Sequence, residues 1–166
     1  MMKAPIPDNE DDRLHALRQL LILDTPPEER FDRIASFAAQ EFEVPIALIT
    51  LVDAERQWFK AGVGIDLCET SRDVSFCGHA IMSNATMVVP DATKDQRFSD
   101  NPFVLEQPQV RFYAGAPLTL PSGQNVGTLC LIDSTPREID TIGLAILASL
   151  RDLVVEELVN QEGKAA

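Results

Sequence analysis

The triplet Cys77-Gly78-His79 has the clearest chemical potential in this sequence. It follows Ser75, a residue type that caps helix N-termini, where the helix dipole and a nearby imidazolium favour the thiolate form of a cysteine. A second interpretation needs no chemistry: Cys77 is a small buried residue, Gly78 permits close packing and His79 bonds to a loop carbonyl. The sequence favours this second interpretation, because no third group stands out that would orient the imidazole.

Two further cysteines, Cys68 and Cys130, complete the set of thiols. Three is an odd number, and the N-terminus lacks the basic start and apolar run of an export signal, so we expect free thiols. Cys130 lies in the apolar run GTLCLID and is predicted to belong to the core. Two cysteines nine residues apart with a histidine two further on match no usual zinc spacing, so no metal site is predicted.

The totals for the chain limit its architecture and its partners. At 166 residues and 45% hydrophobic composition, it can bury one sizeable core, and we expect a single domain over residues 1–166. The formal net charge of −12 repels phosphate backbones and anionic lipids, which argues against nucleic-acid and membrane binding. No apolar run approaches the roughly 18 residues of a membrane span. These features predict a soluble, cytoplasmic protein.

Helical patterns occupy the N-terminal part of the chain, and strand patterns follow. Asp8 is predicted to cap a helix over residues 9–23, and Thr25 with Pro26 is predicted to begin a second helix that Pro45 stops. The polar stretch from 65 to 74 is predicted to be a surface loop, and Ser75 is predicted to begin a short helix. Apolar runs predict strands at 46–52, 56–64, 86–90, 112–120 and 125–133. This order favours an α+β domain with a largely antiparallel sheet.

The C-terminal helix, predicted over residues 139–161, has an unusually wide apolar face. It carries two adjoining strips, Ile142-Ile146-Leu153 and Leu147-Val154-Leu158, and one sheet face cannot cover both. We expect the second strip to lie outward and to join two copies of the chain, with Leu14, Leu17 and Leu21 of the first helix completing a bundle. The competing arrangement folds the first helix back over that strip within one chain.

Several segments, in their order, resemble a known family: LDTPPEERFDRI at 23–34, VPIALITLVDAERQWFKAGVG at 44–64, SRDVSFCGHAI at 71–81, VVPDATKDQRFSDNPFV at 88–104 and RFYAGAPLTLPSGQNVGTLCLID at 111–133. Together they are similar to the GAF domains found N-terminal to bacterial histidine kinases and diguanylate cyclases. The resemblance covers nearly the whole chain. It implies a six-stranded antiparallel sheet between helices, a ligand pocket on one face, and dimers formed through the terminal helices 9–23 and 139–161.

The resemblance also implies where a ligand would bind. The pocket would lie among the short helix after Ser75, the loop after Val89 and the strand that starts near Phe112. Mixed charge there would suit a polar or zwitterionic ligand. In the structural alternative, the charged residues pair with one another and hold the loops against the sheet, and Arg111 fixes the loop that precedes it. The candidate ligand-binding residues are Arg72, Asp73, Phe76, Cys77, His79, Asp91, Arg97, Asp100, Arg111 and Tyr113.

These expectations favour a dimeric sensor that binds a small cytoplasmic molecule of unknown identity and signals to an output partner. The alternative is a thiol-based redox enzyme or switch using Cys68 and Cys77, a pair that resembles one in free methionine-R-sulfoxide reductases. That family's attacking cysteine belongs in the loop before the strand at 112, where this chain has Pro108, Gln109, Val110 and Arg111. A third possibility is a dimerisation domain without a ligand. Bilin attachment is disfavoured, because Gly78 interrupts the usual Cys-His dipeptide.

Overall fold

The computed structural model describes residues 1–165 and shows one six-stranded sheet with helices on both faces. The strand order is β3-β2-β1-β6-β5-β4, and every neighbouring pair is antiparallel. The predicted α+β class and six-stranded antiparallel sheet are confirmed. The strands are β1 (Ile46–Val52), β2 (Arg56–Val63), β3 (Glu69–Ser71), β4 (Met87–Val89), β5 (Phe112–Thr119) and β6 (Asn125–Asp133). The helices are α1 (Glu10–Gln19), α2 (Glu29–Phe42), α3 (Phe76–Ala80), α4 (Pro102–Leu105) and α5 (Thr141–Ala165).

The central strands β1 and β6 are covered on both faces, as their unbroken apolar runs predict. Side chains alternate along β1, so Ile49 and Leu51 enter a core cluster beneath α2 and α5, while Leu48 and Val52 enter a second cluster beneath α3. The sheet therefore separates two cores. The α2 and α5 side holds most of the buried apolar residues, and the α3 side contains the candidate site.

The terminal helix α5 presents the opposite strip to the one we expected. Leu147, Val154 and Leu158 are fully buried against the sheet, whereas Ile142 is 71% exposed and Leu153 is 48% exposed. The prediction that the buried strip faces outward is wrong. Elements of the same chain cover this strip, since α5 packs against α2, β5 and β6, and Leu17 and Leu20, in and just after α1, belong to the same buried cluster.

Both N-terminal helices are shorter than predicted. The first ends at Gln19, and the left-handed backbone of Leu21 (φ 55°) and Asp24 (φ 62°) prevents its continuation to residue 23. Asn9, not Asp8, precedes the first turn. The second helix begins at Glu29, since the hydroxyl of Thr25 donates to the carbonyl of Ile22 (2.6 Å) and so belongs to the preceding turn.

The stretch predicted as an unpatterned loop contains strand β3 and a 3-10 turn at Arg72–Val74. Polar side chains hold this edge strand: Arg56 pairs with Glu69 (3.1 Å), and the amide of Gln57 donates to the hydroxyl of Thr70 (2.8 Å). Period-2 hydrophobicity does not detect a strand fixed in this way. The cap predicted for α3 is confirmed, with Ser75 Oγ accepting from the amide of Gly78 at 3.0 Å. No helix within residues 1–165 has the length and apolar character that crossing a bilayer requires.

Replacing Gly127 with alanine tests the close approach of β1 and β6. A Cβ at this position would lie 1.9 Å from the carbonyl oxygen of Thr50, so the backbone has to move. We expect Gly127→Ala to lower the free energy of unfolding by about 3 kcal/mol, measured by urea denaturation. Gly62→Ala is the control, because its Cβ meets only the flexible side chains of Leu48 (3.0 Å) and Ile65 (3.6 Å), and its cost should stay below about 1 kcal/mol. Equal effects would contradict this account.

Candidate functional site

A small cavity of about 40 Å³ lies between the sheet and the segments that cover its α3 side. Strands β1, β2, β5 and β6 form its floor, and α3 with the loops after β2 and α4 forms its walls. None of its lining residues in the described chain carries a charge. The cavity is well below the ~150 Å³ that admits benzene, so it has room for a molecule of only a few atoms unless its walls move.

Gln57 provides an unpaired polar atom in this apolar lining. The residue is buried on β2, its side-chain amide donates to Thr70, and its Oε1 atom accepts no hydrogen bond. A buried acceptor without a partner costs free energy, so a small molecule that donates a hydrogen bond here would be stabilised. The sequence analysis missed Gln57. Strand alternation was the available signal, since Gln57 shares a face of β2 with Phe59, which also lines the cavity.

Hydrogen-bond donors surround the sulfur of Cys77 at the edge of the cavity. The hydroxyls of Tyr113 and Thr128 each donate to Cys77 Sγ at 3.1 Å, and Thr50 contacts Thr128 through their hydroxyl oxygens at 3.1 Å. The sulfur of Cys130 lies 4.0 Å from that of Cys77, within hydrogen-bonding range for sulfur. Both cysteines are buried and free, and both line the cavity. Two thiols therefore lie side by side in the core, next to the cavity.

This arrangement separates the pKa values of the two cysteines. Burial raises the pKa of Cys77, but hydrogen bonds from Cys130, Thr128, Thr50 and Tyr113 favour its thiolate and lower that pKa from 9.0 to about 7. The hydrogen bond with Cys77, together with burial, raises the pKa of Cys130 well above its ordinary value. These directions make Cys77 the more acidic of the two thiols, which favours it as the nucleophile.

The residues around the Cys77 sulfur leave space for its hydrogen-bond donors and hold α3 in place. A Cβ at Gly115 would lie 2.2 Å from the phenol oxygen of Tyr113, so only glycine leaves room for that hydroxyl beside Cys77. Phe76, the first residue of α3, stacks on Phe98 with ring centroids 4.0 Å apart and planes 8° from parallel. This stacking fixes the short helix that carries Cys77.

Three of the ten candidate residues, Phe76, Cys77 and Tyr113, line the cavity. The other seven lie outside its lining, and all of them have partners elsewhere in the described chain. The charged candidates therefore do not line this cavity. Their contacts agree with the structural alternative, in which charged side chains hold the loops against the sheet. Most of the partners are residues that the sequence analysis did not single out.

Arg72 shows this most clearly. Its guanidinium is buried, is paired with Glu10 of α1, and donates to the carbonyl oxygen of Asp53 at 3.2 Å. Glu10 also pairs with the buried Arg13 (2.7 Å), whose guanidinium donates to the carbonyl of Val52 at 2.6 Å. These contacts join α1 to the turn after β1 and leave Arg72 remote from the cavity lining.

Three candidates contact the N-terminal segment. A ring nitrogen of His79 lies 3.4 Å from the carbonyl oxygen of Met2, and burial lowers the pKa of this imidazole. The carboxylate of Asp100 pairs with the α-amino group of Met1 at 2.6 Å. Asp73 is exposed and accepts a hydrogen bond from the amide of Ala4 through its backbone carbonyl. These contacts hold the N-terminal segment across α3.

The remaining three candidates stabilise loops. Arg97 pairs with Asp95 at 2.8 Å, and Arg111 donates to the carbonyl oxygen of Val104 at 2.9 Å, as the structural alternative predicted. Asp91 accepts hydrogen bonds from the amide and hydroxyl of Thr93. In the described residues, no group of three or more His, Cys, Asp or Glu side chains is placed to hold a metal ion.

Comparison with known proteins identifies the family of this domain, in which one sheet has helices on both faces. The family model of the GAF domain matches residues 26–158, and the chain belongs to that family. The solved GAF domain of an Acinetobacter phosphoenolpyruvate-protein phosphotransferase superposes with a TM-score of 0.66 at 16% identity, covering 93% of this chain and 97% of that one. A type II free methionine-R-sulfoxide reductase from Thermoplasma acidophilum gives 0.65 at 12% identity, covering 78% and 89%. At these identities the superpositions show the fold alone.

A curated relative adds a link to signalling. Over 137 residues the chain is 45% identical to a cyclic di-GMP phosphodiesterase of Pseudomonas aeruginosa, an alignment that covers 82% of this chain. The chain spans only 23% of the length of that relative. The similarity therefore concerns one part of a much longer enzyme.

Replacing Glu10 with glutamine tests the buried arginine network. Burial raises the pKa of Glu10, but hydrogen bonds from Arg13 and Arg72 outweigh it and hold the pKa below the ordinary 4.5. Because the folded pKa is depressed, the stabilisation is complete above pH 4.5 and is lost as the pH falls through the folded value. We expect Glu10→Gln to cost about 3 kcal/mol at pH 7 and to remove this part of the acid sensitivity, measured by urea denaturation from pH 7 to pH 3.

The control for this variant is Glu29→Gln, which breaks an exposed pair with Arg33. Exposed ion pairs contribute little, so its effect should stay within about 0.5 kcal/mol. An unchanged acid sensitivity in Glu10→Gln would show that other carboxylates cause it.

Thiol labelling tests the placement of the three cysteines. Cys68 is exposed, whereas Cys77 and Cys130 are about 2% and 0% exposed. A bulky maleimide should label Cys68 within minutes in the native protein and reach the other two only after unfolding in urea, as read by peptide mass spectrometry. Rapid native labelling of Cys77 by the bulky reagent would contradict the buried site.

Proposed function

We propose that this chain is a sensory and regulatory domain in which the cavity beneath α3 receives a small molecule. The observation that carries the proposal is an apolar cavity lined by Gln57, whose Oε1 has no partner, and by one activated thiol, Cys77. A core that served only to stabilise loops would not need a buried acceptor without a partner in a residue that lines a cavity. Membership of the GAF family supports a regulatory role for such a cavity.

The cavity favours a different ligand from the polar or zwitterionic one that the sequence suggested. Its volume of about 40 Å³ and uncharged lining favour a small neutral molecule that donates a hydrogen bond to Gln57. A larger ligand would have to displace the loop after β2, where Leu67 lines the cavity and is 48% exposed. An ion would lose its hydration without gaining a charged partner.

The single domain over residues 1–166 is proposed to act as a dimer through the outer face of α5. That face carries Ile142, Ile146 and Leu153 beside the small residues Ala145 and Ser149, which together form a shallow apolar groove. A second copy related by a twofold axis offers the same face, so the two apolar strips cover each other. Small residues in the groove let two helices approach closely. This is the interface that the sequence analysis assigned to the wrong strip.

The signal is proposed to pass from the cavity through the terminal helices to an output module, either a separate cytoplasmic partner or another part of a longer chain. The Pseudomonas aeruginosa relative supports the turnover of cyclic di-GMP as the regulated activity, because this chain matches a segment of that phosphodiesterase. The cavity itself is too small for a dinucleotide, so cyclic di-GMP is proposed as the substrate of the output and not as the ligand here.

A second candidate function is thiol redox chemistry, favoured by the 4.0 Å contact between Cys77 and Cys130. The form predicted from the sequence, with Cys68 as partner of Cys77, receives no such support, because Cys68 is exposed while Cys77 is buried. The loop before β5 also carries no cysteine at Pro108 to Arg111, so a sulfoxide reductase reaction would lack its nucleophile.

A chimeric enzyme tests the regulatory role. The matching 137 residues of the Pseudomonas aeruginosa phosphodiesterase are replaced by those of this chain, and hydrolysis of cyclic di-GMP is measured. Val110→Phe fills the cavity from its wall, and we expect it to change the hydrolysis rate of the chimera severalfold while leaving its fold intact. The control is Glu29→Gln on the exposed face of α2. If Val110→Phe leaves the rate of cyclic di-GMP hydrolysis by the chimera unchanged, the cavity has no regulatory role.

Charge on the outer face of α5 tests the dimer. We expect the double variant Ile142→Glu and Leu153→Glu to be a folded monomer where the unchanged chain is a dimer, measured by analytical ultracentrifugation, because both side chains are exposed within one copy. The matched control is Val154→Glu, which places a charge in the core and should unfold the chain instead. An unchanged protein that stays monomeric at high micromolar concentration refutes the dimer.

A further inference from the structure

We propose that Cys77 and Cys130 form a peroxide-reactive thiol pair, in which hydrogen peroxide enters the cavity, oxidises Cys77 and leaves an intramolecular disulfide. The inference rests on the proposed function, since it uses the same cavity as the route of entry. It names a substrate for that site and assigns a chemical role to Cys130, which the sequence analysis placed in the core.

The geometry brings the two sulfurs together from different elements. Cys77 lies on the short helix α3 and Cys130 on the central strand β6, and their sulfurs are 4.0 Å apart on the cavity lining. A disulfide has a sulfur-sulfur distance of about 2.05 Å, so the atoms must approach by about 2 Å. That approach is small enough for side-chain rotation and a small shift of a five-residue helix. No other thiol is placed so close to Cys77 in the described residues.

The cavity selects hydrogen peroxide by size and polarity. Hydrogen peroxide is neutral and contains two heavy atoms, so it fits a volume of about 40 Å³ that excludes bulkier oxidants. Its hydroxyl can donate to Gln57 Oε1, which otherwise has no partner. The remaining lining offers no charged group, so a neutral oxidant enters without a desolvation penalty for charge.

The groups around Cys77 match the needs of each step. The Cys77 thiolate attacks one oxygen of the peroxide, the oxygen-oxygen bond breaks, and a sulfenic acid forms while the leaving hydroxide takes the proton of Cys130 and becomes water. The resulting Cys130 thiolate then attacks Cys77 Sγ and expels hydroxide, which is protonated by solvent to a second water. Two thiols lose two electrons, and one peroxide is reduced to two waters.

Tyr113 and Thr128 act as positioning residues in this scheme. Both hydroxyls donate to Cys77 Sγ at 3.1 Å and stabilise the thiolate before attack. Tyr113 is fully buried, and burial raises its pKa well above the ordinary value, so it remains a protonated donor at neutral pH. Gly115 leaves the space that this hydroxyl occupies.

The experiment treats the full chain with hydrogen peroxide and follows the products by intact and peptide mass spectrometry. We expect the loss of two hydrogens and a crosslinked peptide joining Cys77 to Cys130, with Cys68→Ser behaving like the unchanged chain. In Cys130→Ser the reaction should stop at a sulfenic acid on Cys77, read as the gain of one oxygen by intact mass spectrometry and as a dimedone adduct formed after unfolding in urea. A Cys68–Cys77 disulfide, or no oxidation of Cys77 in a chain that is folded by circular dichroism, overturns the proposal.

Two comparisons test access and positioning. Tert-butyl hydroperoxide has the same reactive bond but is too large for the cavity, so it should oxidise Cys77 at least tenfold more slowly than hydrogen peroxide does. Equal rates would refute entry through the cavity. Tyr113→Phe should slow oxidation at pH 7 about fivefold and move the pH midpoint of the rate upward from about 7, because one donor to the thiolate is lost. A slower rate with an unmoved midpoint would show a merely structural role.

The two proposals fail in different ways. If hydrogen peroxide does not oxidise the pair while Val110→Phe still alters the chimera, the thiol chemistry is wrong and the regulatory cavity stands. If the Cys77–Cys130 disulfide forms while neither it nor Val110→Phe changes the rate of cyclic di-GMP hydrolysis, the thiol pair stands and the regulatory function is wrong.

Discussion

The pairing of β1 with β6 is the constraint on which the rest of this structure depends. These strands approach so closely that only glycine fits at position 127, and the hydroxyls of Thr50 and Thr128 meet between them at 3.1 Å. Both strands are buried on both faces, so each residue step places a side chain in one core or the other. Thr128 also donates to Cys77. The same pairing that holds the sheet therefore sets the electrostatic environment of the thiol.

The local sequence contained enough information for most of the fold. Unbroken apolar runs predicted β1 and β6, and Ser75 predicted the start of α3, because each of these signals depends only on neighbouring residues. The wrong predictions concern features that depend on contacts with residues distant in the sequence. Periodicity revealed two apolar strips on α5 but not which of them faces the sheet, because that depends on how α5 packs against α2, β5 and β6. Likewise Thr25 has the composition of a helix cap, yet its hydroxyl bonds backward to Ile22.

The candidate site was less predictable than the fold, because a sequence shows charges without showing their partners. Arg72 could be a ligand anchor or a structural contact, and only its contact with Glu10, 62 residues away, decides between them. Gln57 and Cys130 show the reverse case, because neither looks like a site residue in the sequence. Gln57 lies in the mixed strand β2 and Cys130 in the apolar strand β6, but register across the sheet brings both to the cavity beside Cys77. Pattern analysis assigns function to polar loops more readily than to core strands.

Strand β6 gives the site a direct physical connection to the terminal helix. Cys130 lines the cavity on one face of this strand, while Leu129 and Leu131 on the other face belong to the core that holds Leu147 and Val154 of α5. A two-sided strand within a close-packed core cannot shift on one face alone, since its neighbours are already in contact. Any displacement of Cys130, whether from a ligand or from bond formation with Cys77, must therefore be accommodated beneath α5. Ile142 and Leu153 lie on the opposite side of that helix, so the proposed dimer surface is separated from the cavity by one strand and one helix.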